Sequence, residues 1–335
     1  MLTEHFHNTQ KDTGHYSNDL RYVLSLQNTI AAFEEIKTWE GYAKTPLHSL
    51  DSLASDIGVK NIYYKDESSR FGLGSFKALG GTYGVLKFIH HALKKEIGDE
   101  VSMKDIHAGK YSEQISKYTV TTATDGNHGR SVAFGAKLFG CKCQIYIHSE
   151  VSSGRQKAME DLEATVNRIS GNYDASLQIC IEDAGKNNWH VISDTSYEGY
   201  TKYPRYIMAG YNVMAEEIID QIKDRPLPTH VFLQGGVGSF PGAICGYFWE
   251  KFPGNNIKFV VVESEHAPCL IRSAQNNQMT SVNIKQETMM AGLSCGEPSL
   301  LGWEILRSGA DDFITINDSS IPGLMRLLAK NNLKI

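Results

Sequence analysis

The chain has 335 residues, enough for two lobes or one large domain with an ample core. Its 33 Lys and Arg against 38 Asp and Glu give a net charge of −5, and no basic block offsets it, which argues against a nucleic-acid protein. With neither an apolar N-terminal segment nor an apolar run of membrane-spanning length, a soluble, cytoplasmic protein without nucleic-acid or membrane partners is expected.

Residues 1–30 read as irregular, 28–39 as a helix and 45–47 as an extended entry to the first compact part. Residues 61–65 (Asn-Ile-Tyr-Tyr-Lys) read as a strand, followed by the polar loop 66–74 and then Ser75-Phe76-Lys77 opening a helix. Residues 90–117 are charged and turn-prone, a surface excursion. From there the alternation is steady. Strands are predicted at 118–123, 142–148, 166–169, 189–192, 229–233 and 257–262, with helices at 129–139, 154–163, 173–186, 203–223 and 238–249 between them. Strands separated by such helices imply βαβ units and mostly parallel sheets. The apolar run Phe259-Val260-Val261-Val262 fits a strand covered on both faces. A strand approach at 309–314 and a helix at 321–330, with Leu324, Leu327 and Leu328 on its apolar face, complete the pattern.

The fold class expected is therefore α/β in two lobes, with mostly parallel sheets flanked by helices. The small lobe is placed at 86–195, inserted into a large lobe made of 1–85 and 196–335. The six cysteines form no C-x-x-C pair, and Cys141 and Cys143 stand on an apparent strand where neighbours point to opposite faces, so no metal site is expected.

Three strand-to-helix turns carry candidate chemistry. In the first, Lys77 follows a small polar residue and an aromatic at a place where α/β folds put reactive groups. A partly shielded lysine loses hydration of its charged form, which makes its neutral amine available for a Schiff base. In the second, Thr124-Asp125-Gly126-Asn127-His128-Gly129, two glycines allow a sharp turn and Asn127 offers donor and acceptor atoms at a helix start. The third, Gln234-Gly235-Gly236-Val237-Gly238-Ser239, lacks both the Walker and the dinucleotide spacing. What it offers is a nest of N–H groups with a hydroxyl, suited to one phosphate monoester. Taken singly, each also fits a plainer role: a solvated lysine, a capped turn, a tight glycine turn.

Together, and in this order, the three fit pyridoxal 5′-phosphate. Over about 45–265 they resemble the three signatures of the fold type II (tryptophan synthase β-like) pyridoxal phosphate enzymes. Within that group the chain is similar to the diaminopropionate ammonia-lyase family. The residues that carry this are 65–77, 124–130, the block Asp194-Thr195-Ser196-Tyr197-Glu198-Gly199-Tyr200, and the block Met290-Ala291-Gly292-Leu293-Ser294-Cys295-Gly296-Glu297-Pro298.

The resemblance implies that Lys77, preceded by Phe76, forms the Schiff base. It implies that Asn127 contacts the cofactor's phenolic oxygen, that Gly235, Gly236, Val237, Gly238 and Ser239 hold the phosphate, and that Ala291 and Gly292 run near the ring. Ser75, Thr124, Asp125, His128 and Asp194 are the substrate-binding candidates, and Lys77, Asp125 and Asp194 the catalytic ones. Asp125 departs from the broader dehydratase pattern, which has Ser there. Two carboxylates then face the substrate, and they suit 2,3-diaminopropionate, whose Cβ carries an extra ammonium. Asp194 also fits a helix cap. As expectations, Lys77 takes the Cα proton of one enantiomer and Asp125 that of the other.

The expected reaction is α,β-elimination of 2,3-diaminopropionate to pyruvate and two ammonia, in amino-acid catabolism and by a homodimer. Two other readings stand beside it: a serine/threonine dehydratase-like eliminating enzyme, and a non-catalytic pyridoxal phosphate-binding protein. Cys269 and Cys295 flank segments expected at the active-site mouth, which leaves a disulfide between them open, although cytosolic thiols are normally reduced. Family members continue past the length of this chain with a Gly- and Ser-rich turn that meets the pyridine nitrogen. A C-terminally shortened member with weaker cofactor retention is thus expected.

Overall fold

Turn glycines and β-branched runs divide this chain into ten strands among the described residues. They are β1 (Leu2–His7), β2 (Leu47–Ser49), β3 (Tyr63–Lys65), β4 (Thr119–Ala123), β5 (Lys142–His148), β6 (Thr165–Ile169), β7 (His190–Val191), β8 (His230–Gln234), β9 (Lys258–Ser264) and β10 (Asp312–Ile316). The computed structural model describes every residue except Thr13, Asp125, Asn332, Lys334 and Ile335, and the side chain of Asp174. Two compact units result, one made of Met1–Phe76 and Tyr211–Ile335, the other of Lys77–Gly210. From sequence the boundaries are expected at 85/86 and 195/196; by compactness they fall at 76/77 and 210/211.

In the unit Lys77–Gly210 a sheet of order β6-β5-β4-β7 is parallel throughout. All five residues of β4 are buried, as a strand with both faces of its sheet covered by helices shows. The helices Lys77–Ile97 and Asn127–Phe139 pack at very short range. A Cβ on Gly81 would lie 1.8 Å from Ser131 Oγ, and one on Gly135 would lie 2.9 Å from Thr82 Cα. Glycine at 81 and 135 is what permits this approach. Segment 90–117, expected as a surface excursion, is mostly exposed but is helical and held down at intervals. The first helix runs to Ile97, short helices form at Met103–His107 and Ser112–Ile115, and Ile106 and Ile115 are buried. Apolar residues spaced along a charged stretch anchor it to the core.

In the other unit the sheet order is β1-β10-β9-β8, with β8, β9 and β10 parallel. Phe259, Val260 and Val261 of β9 are buried, as the run of apolar residues implies. The expectation of irregular structure over 1–30 fails at its start. β1 pairs antiparallel with β10, placing Phe6 opposite Phe313 and His7 opposite Asp312. The six residues of β1 alternate only weakly, and the partner edge that orders them lies some three hundred residues away. Among the described residues no helix is long and apolar enough to cross a membrane.

Candidate active site

The two units carry two different chemical groups, and each is built from its own elements. In Lys77–Gly210 the functional side chains sit at the ends of β4 and β7 and at the first residues of two helices. Lys77 opens its helix, and Nζ donates to Asp194 Oδ2 at 2.5 Å. Asp194 follows β7, with its side chain 14% exposed. Burial opposes its charge, but His128 and Lys77 outweigh that and hold its carboxyl well below the usual range. Asp194 is therefore an anion committed to receiving a cation.

Its backbone is fixed from both sides. Tyr200 hydroxyl accepts from Ser193 N at 3.0 Å and donates to Val191 O at 2.9 Å, and Thr195 N donates to Ser193 Oγ at 3.1 Å. His128 Nε2 meets Ile192 O at 2.8 Å, tying the second helix to the same segment. Thr124 Oγ1 accepts from Gly126 N and Gly129 N at 3.0 and 3.1 Å, so its oxygen is used within the turn itself. Asn127 is exposed at the first position of its helix. Asp125, expected as a catalytic and substrate-binding residue, lies outside the described residues.

The second group belongs to Met1–Phe76 and Tyr211–Ile335. β8 runs into Gly235–Ser239, and the 13-residue helix Ser239–Lys251 starts from Gly238, whose φ of 98° a glycine adopts without strain. No side chain caps this helix, so its first N–H groups point outward as an anion site. Gly235 N is not among the donors, because it bonds Val262 O at 2.7 Å. The candidate anion turn is then Gly236–Ser239. Ala291–Leu293 forms a short 3-10 turn beside it, and a Cβ on Gly236 would lie 3.4 Å from both Gly292 O and Cys295 Sγ. Phe76, the residue before the lysine, packs on Phe240 in the first turn of that helix with ring centroids 4.3 Å apart. Ser75 beside it is buried.

Several supporting residues had no signal in isolation. Ser299 N donates to Val237 O at 2.6 Å, and Ser239 Oγ donates to Ser299 Oγ at 3.0 Å. A Cβ on Gly302 would lie 2.5 Å from Gly238 C and O. Tyr200 stands in the block 194–200 that carries the family resemblance, which is a usable hint. All six cysteines are thiols, Cys269 and Cys295 included.

Lys77 beside a buried carboxylate in one unit and an uncapped glycine turn in the other are candidate features of one class of protein, which comparison with known proteins identifies. The chain belongs to the pyridoxal-phosphate dependent enzyme family, whose model matches residues 38–333. More particularly, it is 39% identical over 289 residues to diaminopropionate ammonia-lyase of Escherichia coli K12, covering 86% of this chain and 71% of that relative. The Salmonella typhimurium enzyme of the same name is 38% identical over 314 residues, covering 92% and 78%. The crystal structure of the Escherichia coli enzyme with an aminoacrylate–PLP azomethine reaction intermediate superposes with a TM-score of 0.83 at 36% identity, over 95% of this chain and 78% of that one. The fold is that of the fold type II pyridoxal phosphate enzymes, and the cofactor is pyridoxal 5′-phosphate. The uncapped glycine cradle fits the phosphate of that group.

Two expected results follow from the cradle. Gly302→Ala forces a methyl against the Gly238 backbone. Such overpacking costs about 1–3 kcal/mol, which expressed in binding is about 5- to 150-fold in cofactor affinity. Titration of stripped protein with pyridoxal phosphate measures it; an unchanged affinity excludes the close approach as a determinant. The second concerns Glu263, buried beneath Gly235, whose carboxylate accepts from Leu270 N and Ile271 N at 2.8 and 2.7 Å. Burial outweighs those bonds and pushes its pKa from 4.5 up to about 8. A carboxyl raised in the folded state stabilises it fully below its unfolded value, and that contribution is lost as pH rises toward the folded one. The urea midpoint should therefore decline between about pH 5 and 8, and Glu263→Gln should flatten that decline.

Proposed function

We propose that this protein converts 2,3-diaminopropionate to pyruvate and two ammonia by α,β-elimination. The observation that carries the reading is the ion pair of Lys77 and Asp194, an amine held 2.5 Å from a carboxylate that is strongly committed to a cation. Its resemblance to the diaminopropionate ammonia-lyases over most of its length supports the same reading.

Bound pyridoxal phosphate supplies an electron sink for the Cα carbanion. The chain supplies the rest. Gly236, Val237, Gly238 and Ser239 would hold the phosphate, Asn127 the phenolic oxygen, and Ala291 and Gly292 the edge of the ring. Lys77 carries the cofactor and, when free of it, its amine is the base for the Cα proton. Asp194 orients the β-nitrogen and keeps it protonated, so that the Cβ–N bond electrons leave on neutral ammonia. Ser75, His128 and Thr124 shape the substrate side, with Asp125 as the second base for the opposite enantiomer. A homodimer in the cytoplasm belongs to the same proposal; six thiols fit a reducing compartment, and sedimentation of the purified protein tests the dimer.

Pyruvate and ammonia are to be measured from 2,3-diaminopropionate, serine and threonine. Release from diaminopropionate well above the hydroxy amino acids is the expected result, and the reverse order rejects the substrate. Asp194→Asn should lower kcat/KM for diaminopropionate by about 10²-fold or more with the cofactor still bound. No helix starts at Asp194, the next one opening at Lys202, so the helix-cap expectation fails, and loss of folding would instead assign Asp194 to holding its loop.

A further inference from the structure

We infer that Asp318 is a positioning residue for the cofactor: its carboxylate holds the segment 288–295 against the glycine turn 236–239 and thereby sets how firmly pyridoxal phosphate is retained. The inference rests on the assignment of that turn to the phosphate, not on the substrate proposed above.

Between the helices Cys269–Asn276 and Leu300–Gly309 the chain has one piece of regular structure, the 3-10 turn Ala291–Leu293. So long an irregular stretch keeps its place in a compact unit only where it is tied down, and such stretches are usually functional. At its far end Ser299 N donates to Val237 O at 2.6 Å. At the near end the tie is Asp318, first residue of the turn Asp318–Ser320 that follows β10. Thr288 Oγ1 donates to Asp318 Oδ1 and Met289 N donates to Oδ2, both at 2.6 Å. Ser264 Oγ, at the end of β9, lies 3.5 Å from Oδ1. Burial opposes the charge of Asp318, but the bonds from Thr288 and Met289 outweigh it and hold its carboxyl below the usual range.

The Thr288 hydroxyl passes the constraint on. It accepts from Met290 N at 3.2 Å, and Met290 O accepts from Leu293 N at 2.7 Å, which closes the 3-10 turn. Ser294 N and Cys295 N then return to Ala291 O and Leu293 O at 3.2 and 2.8 Å. This is the stretch that meets the glycine turn, since a Cβ on Gly236 would lie 3.4 Å from both Gly292 O and Cys295 Sγ. A continuous run of hydrogen bonds therefore joins one carboxylate to the wall of the anion turn, and its first links, made to a charged acceptor, are the strong kind. Asp318 acts through this run rather than on the cofactor itself. Without it the segment would have to be ordered as the cofactor binds, and that cost is subtracted from the affinity.

Asp318→Asn removes the charge and turns one acceptor into a donor facing a donor. Titration of stripped protein with pyridoxal phosphate should show an affinity lower by about tenfold, the low end for a hydrogen bond to a charged group, because Asp318 is part-exposed. Thr288→Val should weaken binding as well, while Thr288→Ser, which keeps the hydroxyl, should not. Asp318→Asn combined with Thr288→Val should lose less than the product of the single losses; losses that multiply would mean that the two residues act separately and would overturn the inference. Hydrogen exchange should speed up over 281–296 in Asp318→Asn and stay unchanged in β9 and β10. Faster exchange in those strands would make Asp318 a general support of the sheet and overturn the inference. So would an unchanged affinity in Asp318→Asn, no loss in Thr288→Val, or the same loss in Thr288→Ser, and the threonine pair decides even where the Asp318 variant fails to fold. Gly302→Ala tells the two readings apart. If it weakens binding while Asp318→Asn does not, this inference alone fails, whereas no effect of either removes the phosphate assignment as well.

Discussion

Lys77→Ala is expected to reduce turnover by about 10²–10⁴-fold, the range for loss of a positioned proton-transfer group, and to leave borohydride-treated protein without a cofactor-labelled lysine peptide. The wild type should be yellow and label at Lys77. Lys65, the lysine that precedes it in sequence, is already spent. Its Nζ donates to Thr45 O at 2.8 Å, Glu217 Oε2 at 2.7 Å and Gln221 Oε1 at 3.0 Å. A label on Lys65, or on any lysine other than Lys77, would reject the assignment. Lys77→Arg is the informative companion. It preserves a cation for Asp194 but offers no amine for covalent attachment, so its activity should be as low as that of Lys77→Ala. Recovery of activity by arginine would mean that charge, not the amine, is what the site needs.

Glu217→Ala should cost about 3–5 kcal/mol of stability, because it strands two buried cations. Glu217 and Arg70 are almost wholly shielded, at 0% and 1% side-chain exposure. The carboxylate accepts Arg70 Nη1 and Nη2, both at 2.8 Å, Lys65 Nζ at 2.7 Å and Tyr42 OH at 2.8 Å. Glu67 completes the enclosure, with both oxygens on Arg70 at 2.8 Å. Replacing a whole buried ion network by apolar groups can be neutral, but removing one member is not. This network anchors the start of the loop before Lys77, where Phe71, Gly72 and Gly74 all have positive φ and Phe71 does so against its side chain. Burial opposes the charge of Glu217, yet Arg70 and Lys65 outweigh it and lower its pKa. A carboxyl lowered in this way stabilises the fold above its unfolded value, and the contribution is lost as pH falls through the folded one. Urea unfolding of wild type and Glu217→Ala should therefore differ most at neutral pH and converge in acid. Equal stabilities at neutral pH would show that water or rearrangement satisfies Arg70.

The acid-side losses of Glu217 and Asp194 and the neutral-range decline assigned to Glu263 lie in separate windows, so a single stability profile can distinguish them.

The parts of this protein legible from sequence are those whose cause is local. Strand, glycine turn and helix follow one another within a few residues at Lys77, at Asn127 and at Gly238, and period and turn chemistry act over that range. The buried run of β9 could be read for the same reason. The chemistry of a lysine and of a glycine nest is likewise carried by the residue types themselves. What the tertiary structure alone decided are pairings between distant segments. β1 becomes a strand only because the edge of β10 receives it. Arg70 meets Glu217 across 147 positions, and Lys77 meets Asp194 across 117. Gly302 and Ser299 meet the glycine turn from a separate stretch of chain, and Gly235, just past β8, gives its N–H to Val262 O of β9. His128 shows the division most plainly. Its place in an Asn-containing turn can be read from neighbours, but the partner that orients its ring is the carbonyl of Ile192, 64 positions away. Residue type fixes what a side chain can do; the long-range backbone fixes which of those things it does.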